Sequence, residues 1–206
     1  MVGEIRIYVE GGGDSKDTRA RVRKGFDEFL KEIKNIVCEK RIRWQVIACG
    51  SRTSTLDDFN TALKKHSGAF NILLVDSEAP VSTAPREHLS NRDGWDLSHI
   101  NENQCHLMVQ MVEAWLIADI PCLKRFYGHK GFSTSSLPKN PNVEQLDKHT
   151  INSSLKAATR RTQKGEYHKI RHGPEILKRA DASKVRNAAP HCNRLFETLE
   201  RLIDEE

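Results

Sequence analysis

Phe70-Asn71-Ile72-Leu73-Leu74-Val75, followed at once by Asp76-Ser77-Glu78, decides how the rest of this 206-residue chain is read. A nearly continuous apolar run of this length suits a strand covered on both faces, whereas a strand with one wet face alternates. Upstream, Glu4 to Val9 (Glu-Ile-Arg-Ile-Tyr-Val) is a β-rich run that ends at Glu10 and the glycines Gly11, Gly12 and Gly13. Past Asp14-Ser15, a cap-like pair, apolar residues fall at Val22, Phe26, Phe29, Leu30, Ile33, Ile36 and Val37. That three-and-four spacing predicts one amphipathic helix. Trp44 to Cys49 reads as a strand closed by Gly50, and Ser51 to Thr55 as the start of a helix carrying Leu56, Phe59, Ala62 and Leu63. Strand, helix, strand, helix, strand within about 75 residues predicts right-handed crossovers and a parallel sheet.

Downstream, residues 79–103 contain Pro80, Pro85 and Gly94 and read as a long irregular excursion anchored by Trp95. Cys105 to Val109 is expected to be a fourth strand running into a helix with Val112, Trp115 and Leu116; Trp115 reads as core. Asp119, before Ile120-Pro121, reads as a helix-end or turn residue. Residues 128–141 are rich in Gly, Ser, Pro and Asn and read as a loop. The remainder reads as helical and ends on a stripe of Leu195, Phe196, Leu199, Leu202 and Ile203. The expected class is α/β: a parallel sheet flanked by helices, with a mostly helical C-terminal part. Residues 1–120 form the expected metal-binding core, and 121–206 a helical, basic lobe packed on it.

Hydrophobic residues are 37% and charged residues 30% of the chain, a balance that points to a soluble globular protein. No apolar run approaches the roughly 20 residues of a spanning helix, so no membrane partner is expected. The N-terminus lacks a basic-then-apolar leader, which predicts a cytoplasmic location. Five scattered cysteines without a Cys-x-x-Cys pair argue against a disulfide framework or a zinc site, and for thiols in a reducing compartment. The net charge is +5, but Lys156 to Arg186 alone holds ten Lys/Arg against three Asp/Glu. A phosphate-binding surface has this one-dimensional look, and so does a solvated helical face.

In an open parallel sheet, ligands gather at the carboxyl ends of the strands. Glu10 ends the first strand; Asp76 and Glu78 follow the third. Each acid alone also reads as a turn residue facing water. Together they suggest a cation, because unpaired carboxylates are costly at such a location. An all-oxygen set suits Mg²⁺ or Mn²⁺ rather than zinc. Gly11 and Gly12 permit close backbone approach to a phosphate at a helix start, with Lys16 assisting. The run is neither a Walker loop nor a complete dinucleotide fingerprint. Ser51 and Arg52 form a second candidate phosphate cradle, with simple capping as the alternative. In the basic segment, Lys169 is suited to balancing charge at a cleaved phosphate and His168 to shuttling a proton or contacting the phosphate; Arg171 and His172 read as surface residues. Aromatics are only 6% of the chain, so extensive base stacking is not expected.

Tyr8-Val9-Glu10-Gly11 followed by Leu74-Val75-Asp76-Ser77-Glu78 resembles the Toprim signature, a Glu after the first strand and Asp-x-Asp after the third. The sequence departs from that signature at Glu78, where Asp is usual. Val112-Glu113-Ala114-Trp115-Leu116-Ile117-Ala118-Asp119, Tyr167-His168-Lys169 and Pro190-His191-Cys192-Asn193-Arg194-Leu195 resemble a bacterial family of Toprim-like proteins, domain of unknown function 4276. The resemblance implies a Mg²⁺-dependent nuclease, a hydrolase of DNA or RNA phosphodiester bonds, in a setting similar to antiphage defence. It also implies an ATPase partner, and a homodimer gripping two strands is compatible with it. In this reading Asp76 and Glu78 hold the metal, and Glu10 binds a metal or acts as general base. Glu113 completes the site, although a Glu in a first helical turn is also favoured by the dipole alone. The alternative is a non-catalytic nucleic-acid-binding or ATPase-partner subunit.

Overall fold

Four parallel strands, β1 (Glu4–Glu10), β2 (Arg43–Gly50), β3 (Phe70–Asp76) and β4 (Cys105–Met108), form one sheet in the order β2-β1-β3-β4 in the computed structural model, which describes residues 2–204. The helices are α1 (Lys16–Phe29), α2 (Lys31–Glu39), α3 (Arg52–Lys65), α4 (Pro85–Asp93), α5 (Glu113–Ala118), α6 (Ile120–Tyr127), α7 (Lys148–Thr159), α8 (Lys169–Leu177), α9 (Ala182–Ala188) and α10 (Pro190–Asp204). The α/β class, the parallel sheet and the helical C-terminal part are those expected.

Because side chains alternate across a strand, each strand feeds two cores. Ile5, Ile7, Val9, Ile72, Leu74 and Met108 face a large core with α1, α2 and the helices from α5 onward. Tyr8, Leu73, Val75, Cys105 and Leu107 face a smaller one closed by Phe59 of α3 and Leu89 of α4. Both faces of β3 are therefore covered, which is why its run is apolar throughout. Trp115 is fully buried in the larger core, stacked on Phe29 with ring centroids 5.5 Å apart. The C-terminal helices contribute to the same core as β1, down to Ile203.

Two local readings differ from the structure. The helix expected over Val22 to Val37 is broken at Leu30 into α1 and α2, a break that lets both segments turn their apolar sides to the sheet. The excursion after β3 contains α4, which begins at Pro85. Proline there acts as a helix starter, since its missing N–H falls where the first turn has no partner. Trp95 packs under the Arg52 guanidinium, 4.9 Å from carbon to ring centroid. All five cysteines are free. Among the described residues, no helix is long and apolar enough to cross a membrane.

Candidate functional site

The strand order reverses direction beside β1: one crossover leads to β2 on one side and the next to β3 on the other. At such a switch point the loops leave in opposite directions and open a crevice at the carboxyl ends of the strands. Glu10 and Asp76 are the last residues of the two strands that flank it. Glu78 follows after one residue, with a left-handed backbone (φ 64°) and its N–H bonded to the Gln110 carbonyl at 2.9 Å. One carboxylate oxygen from each of Glu10, Asp76 and Glu78 lies within 4.8 Å of the others.

Asp76 is buried, and its Oδ1 accepts the Val112 N–H at 2.9 Å. Its Oδ2 takes the Lys169 ammonium at 3.4 Å as its one hydrogen-bond donor among the described residues. Burial pushes the Asp76 carboxyl up to about 7, Lys169 opposes that rise, and the neighbouring Glu113 and Glu10 add to it. Burial also raises Glu10, against the pull of Arg52. Glu10 Oε2 accepts from Arg52 Nη1 at 3.0 Å and from the Asp76 N–H at 3.3 Å. Arg52 is in turn held by a two-pronged contact to Asp93, at 2.7 and 3.1 Å, and by the Asp76 carbonyl at 2.6 Å. Such fork-to-carboxylate pairing fixes direction as well as charge. Lys148, the first residue of α7, pairs with Glu78.

Glu113 has no exposed side-chain surface. Its Oε1 accepts from the Tyr167 hydroxyl at 3.0 Å, while Lys169 lies 3.6 Å from Oε2. Lys169 thus bridges Asp76 and Glu113, and its own pKa is raised by those two carboxylates against the opposing effect of burial. It reaches them because α8 packs closely on α1. A Cβ at Gly25 would stand 2.9 Å from the Pro174 carbonyl oxygen, so only glycine admits this approach. Gly12, which lines the crevice, likewise has φ 93° and room for no side chain, since a Cβ would lie 2.8 Å from Arg19 Cα.

The structure therefore brings together Glu10, Asp76, Glu78, Glu113 and Lys169, with Gly11 and Gly12 on the rim of the same crevice. It places the other candidates differently. Lys16 lines a separate groove with Arg19 and Arg23. Ser51 caps α3, accepting the Ser54 N–H at 3.1 Å. Arg52 is an internal partner of Glu10 and Asp93 rather than a free phosphate ligand. His168 caps α8, its Nδ1 accepting the Arg171 N–H at 3.4 Å. Of the residues expected on the surface, Arg171 is exposed and His172 is buried. The Tyr127 hydroxyl donates to His172 Nδ1 at 2.8 Å. Asp93, Lys148 and the hydroxyl of Tyr167 complete the network: Tyr167 stands in the same quoted motif as Lys169, whereas Asp93 and Lys148 arrive from separate parts of the chain and carry no local sequence signal.

A family model described as Domain of unknown function (DUF4276) matches residues 9–200. The searches of curated proteins and of solved structures return no match.

Proposed function

The chain belongs to the DUF4276 family, and we propose that it hydrolyses phosphodiester bonds of DNA or RNA with Mg²⁺ or Mn²⁺ held by Glu10, Asp76 and Glu78. The observation that carries this reading is the convergence of three carboxylate oxygens within 4.8 Å at the switch point of the sheet. The set fits a small hard cation: it is all oxygen, it is open on the crevice side, and magnesium sites use few carboxylates plus water and substrate phosphate. The elevated Asp76 carboxyl fits as well: burial raises it, Lys169 only partly offsets the rise and Glu113 and Glu10 add to it, and a cation favours the ionised form. The Toprim-like spacing of Glu10 with Asp76-Ser77-Glu78 supports the same reading by resemblance.

A bound divalent cation supplies charge neutralisation at the phosphate and a more acidic attacking water. The protein's own groups do the rest. Glu10 engages Arg52 and the Asp76 N–H through one oxygen, Oε2, so its other oxygen serves as a ligand or accepts the proton of water. The raised Glu10 pKa makes it the better base. The Lys169 side chain is half-exposed, and its ammonium balances charge that develops on the phosphate oxygens. Glu113, itself held by the Tyr167 hydroxyl, backs Lys169. Arg52, fixed by Asp93, keeps Glu10 aimed at Asp76.

A second reading is a non-catalytic subunit that binds nucleic acid or docks an ATPase in antiphage defence. It is favoured by the charge balance: Arg52, Lys169 and Lys148 each sit on one of the three carboxylates. The deciding experiment incubates plasmid DNA, single-stranded DNA and total tRNA with Mg²⁺ or Mn²⁺, comparing wild type with Glu10→Ala and Asp76→Ala. Cleavage by wild type and its loss in both variants is expected. Cleavage that survives in both variants, or none by wild type with nucleic-acid binding intact in all three, overturns the nuclease.

A further inference from the structure

Beside the carboxylates lies a cavity of about 280 Å³. Phosphate chemistry accounts for one side of it, where Glu10, Asp76, Glu113 and Lys169 stand. The opposite walls are apolar: Val22 and Phe26 of α1, Leu116 of α5, and Ile170 and Leu177 of α8. At the mouth, Ile170 is 44% exposed, one of two large apolar residues so exposed among the described residues. Within the cavity, Glu113 Oε2 is buried and makes no hydrogen bond among the described residues; its ion-pair partner there is the Lys169 ammonium, at 3.6 Å. A buried carboxylate oxygen whose only partner is an ammonium beyond hydrogen-bond distance keeps the capacity to accept a donor from a ligand.

Apolar walls with a few aimed polar groups are the makeup of a small-molecule pocket. Of the parts of a nucleic acid, the base is the one with apolar faces and N–H donors on its edge. The cavity adjoins the carboxylates, so a base inside it belongs to a nucleotide next to the bound phosphate. A base stacked in a duplex cannot enter; it must be unpaired or turned out of the stack.

We propose that this cavity holds the base of the nucleotide flanking the scissile phosphate, with Glu113 Oε2 accepting an N–H of its edge, and that the substrate is therefore an unpaired nucleotide. This rests on the nuclease reading and names its substrate. Ile170 and Phe26 contact the base faces, while Glu113 keeps its other oxygen on Tyr167.

The test uses the full chain and oligonucleotides of the kind it cuts, with one abasic site moved nucleotide by nucleotide across the mapped cleavage position. An abasic site at one flanking position is expected to slow cleavage about tenfold or more, the scale of a lost base contact, with little effect elsewhere. The same oligonucleotide with 2-aminopurine at that position, bound with Ca²⁺ replacing Mg²⁺, is expected to change fluorescence as the base leaves its neighbours. Ile170→Trp, which plugs the mouth, is expected to abolish that change while calorimetric Mn²⁺ binding stays as in wild type. If abasic sites are tolerated everywhere and Ile170→Trp cuts normally, the base pocket is wrong and the nuclease stands. If the wild type cuts nothing, both fall, and the intact Mn²⁺ titration separates that case from a failed cation site.

Discussion

Asp76 and Asp119 are both aspartates with almost no exposed side-chain surface, 5% and 0%, yet their surroundings are opposite. Asp119 is filled by donors. Its Oδ1 accepts from the Cys122 N–H and the Lys184 ammonium, each at 3.2 Å, and its Oδ2 from the Asp181 N–H at 3.0 Å. It caps α6 and ties the entry of α9 to it. Asp76 has one backbone donor and one long contact to a lysine, and it is crowded by Glu10, Glu78 and Glu113. A buried acid whose oxygens are occupied by donors completes the fold. A buried acid surrounded by other acceptors is held there against its own solvation, and is suited to a ligand from outside.

The largest effect that separates the two is on stability. Asp119→Ala removes a helix cap and leaves a lysine and a backbone N–H without their acceptor, so a loss of about 2–3 kcal/mol is expected. Asp76→Asn removes a charge from a crowded acidic cluster and keeps a hydrogen-bonding oxygen for Val112. It is expected to leave stability within about 1 kcal/mol or to raise it, since relief of the desolvation of a buried charge and of repulsion by Glu113 and Glu10 offsets the lost contact to Lys169. Urea unfolding in EDTA measures both. Equal losses would show that Asp76, too, is part of the scaffold.

That contrast was only partly legible in the sequence. Glu10, Asp76 and Glu78 could be read because strand ends carry their own marks: apolar or β-rich runs that stop at an acid, then at glycines or a turn. Trp115 was legible as core from its helical spacing. The role of Asp119 was half legible, as a turn residue whose burial came only with the packing of α9. Arg52 looked like a phosphate ligand because a helix start after Gly50 is a common anion site. Its guanidinium instead turns inward, since Asp93 at the end of α4 offers it a paired acceptor, and α4 itself was hidden behind prolines. Lys148, 70 residues from Glu78 along the chain, is placed by a tertiary approach that no local pattern encodes.

A smaller effect sharpens the comparison through pH. In the metal-free protein burial pushes the Asp76 carboxyl up to about 7, against about 3.9 in an unfolded chain. Between those values the folded state binds more protons than the unfolded one, so stability falls as pH rises from about 4 through 7 and then levels. The contribution is on the order of 1 kcal/mol per pH unit across that window. Asp76→Asn is expected to lose this part of the slope, and Asp119→Asn to keep it. Thermal melts in EDTA at pH 5, 6, 7 and 8 give the slopes, and identical slopes for wild type and Asp76→Asn would refute the assignment. Adding Mg²⁺ at pH 8 is expected to raise the melting temperature of wild type and not of Asp76→Asn.

The smallest effect concerns the cation that already occupies one side of the cluster. Lys148 pairs with Glu78, and both side chains are 28% exposed, so water screens their attraction and the pair is weak. An incoming divalent cation competes with that ammonium for the Glu78 carboxylate. Lys148→Met keeps the apolar stem and removes the charge, and is expected to tighten Mn²⁺ binding about two- to fivefold by calorimetry, under about 1 kcal/mol. The opposite result is equally informative. Glu78 stands on a left-handed backbone that a non-glycine residue rarely adopts; its N–H bonds the Gln110 carbonyl and its carboxylate meets Lys148 and, at 4.0 Å, Arg92. Weaker metal binding in Lys148→Met would therefore make Lys148 a positioning residue, its contact with Glu78 part of the scaffold in the way that Lys184 is for Asp119.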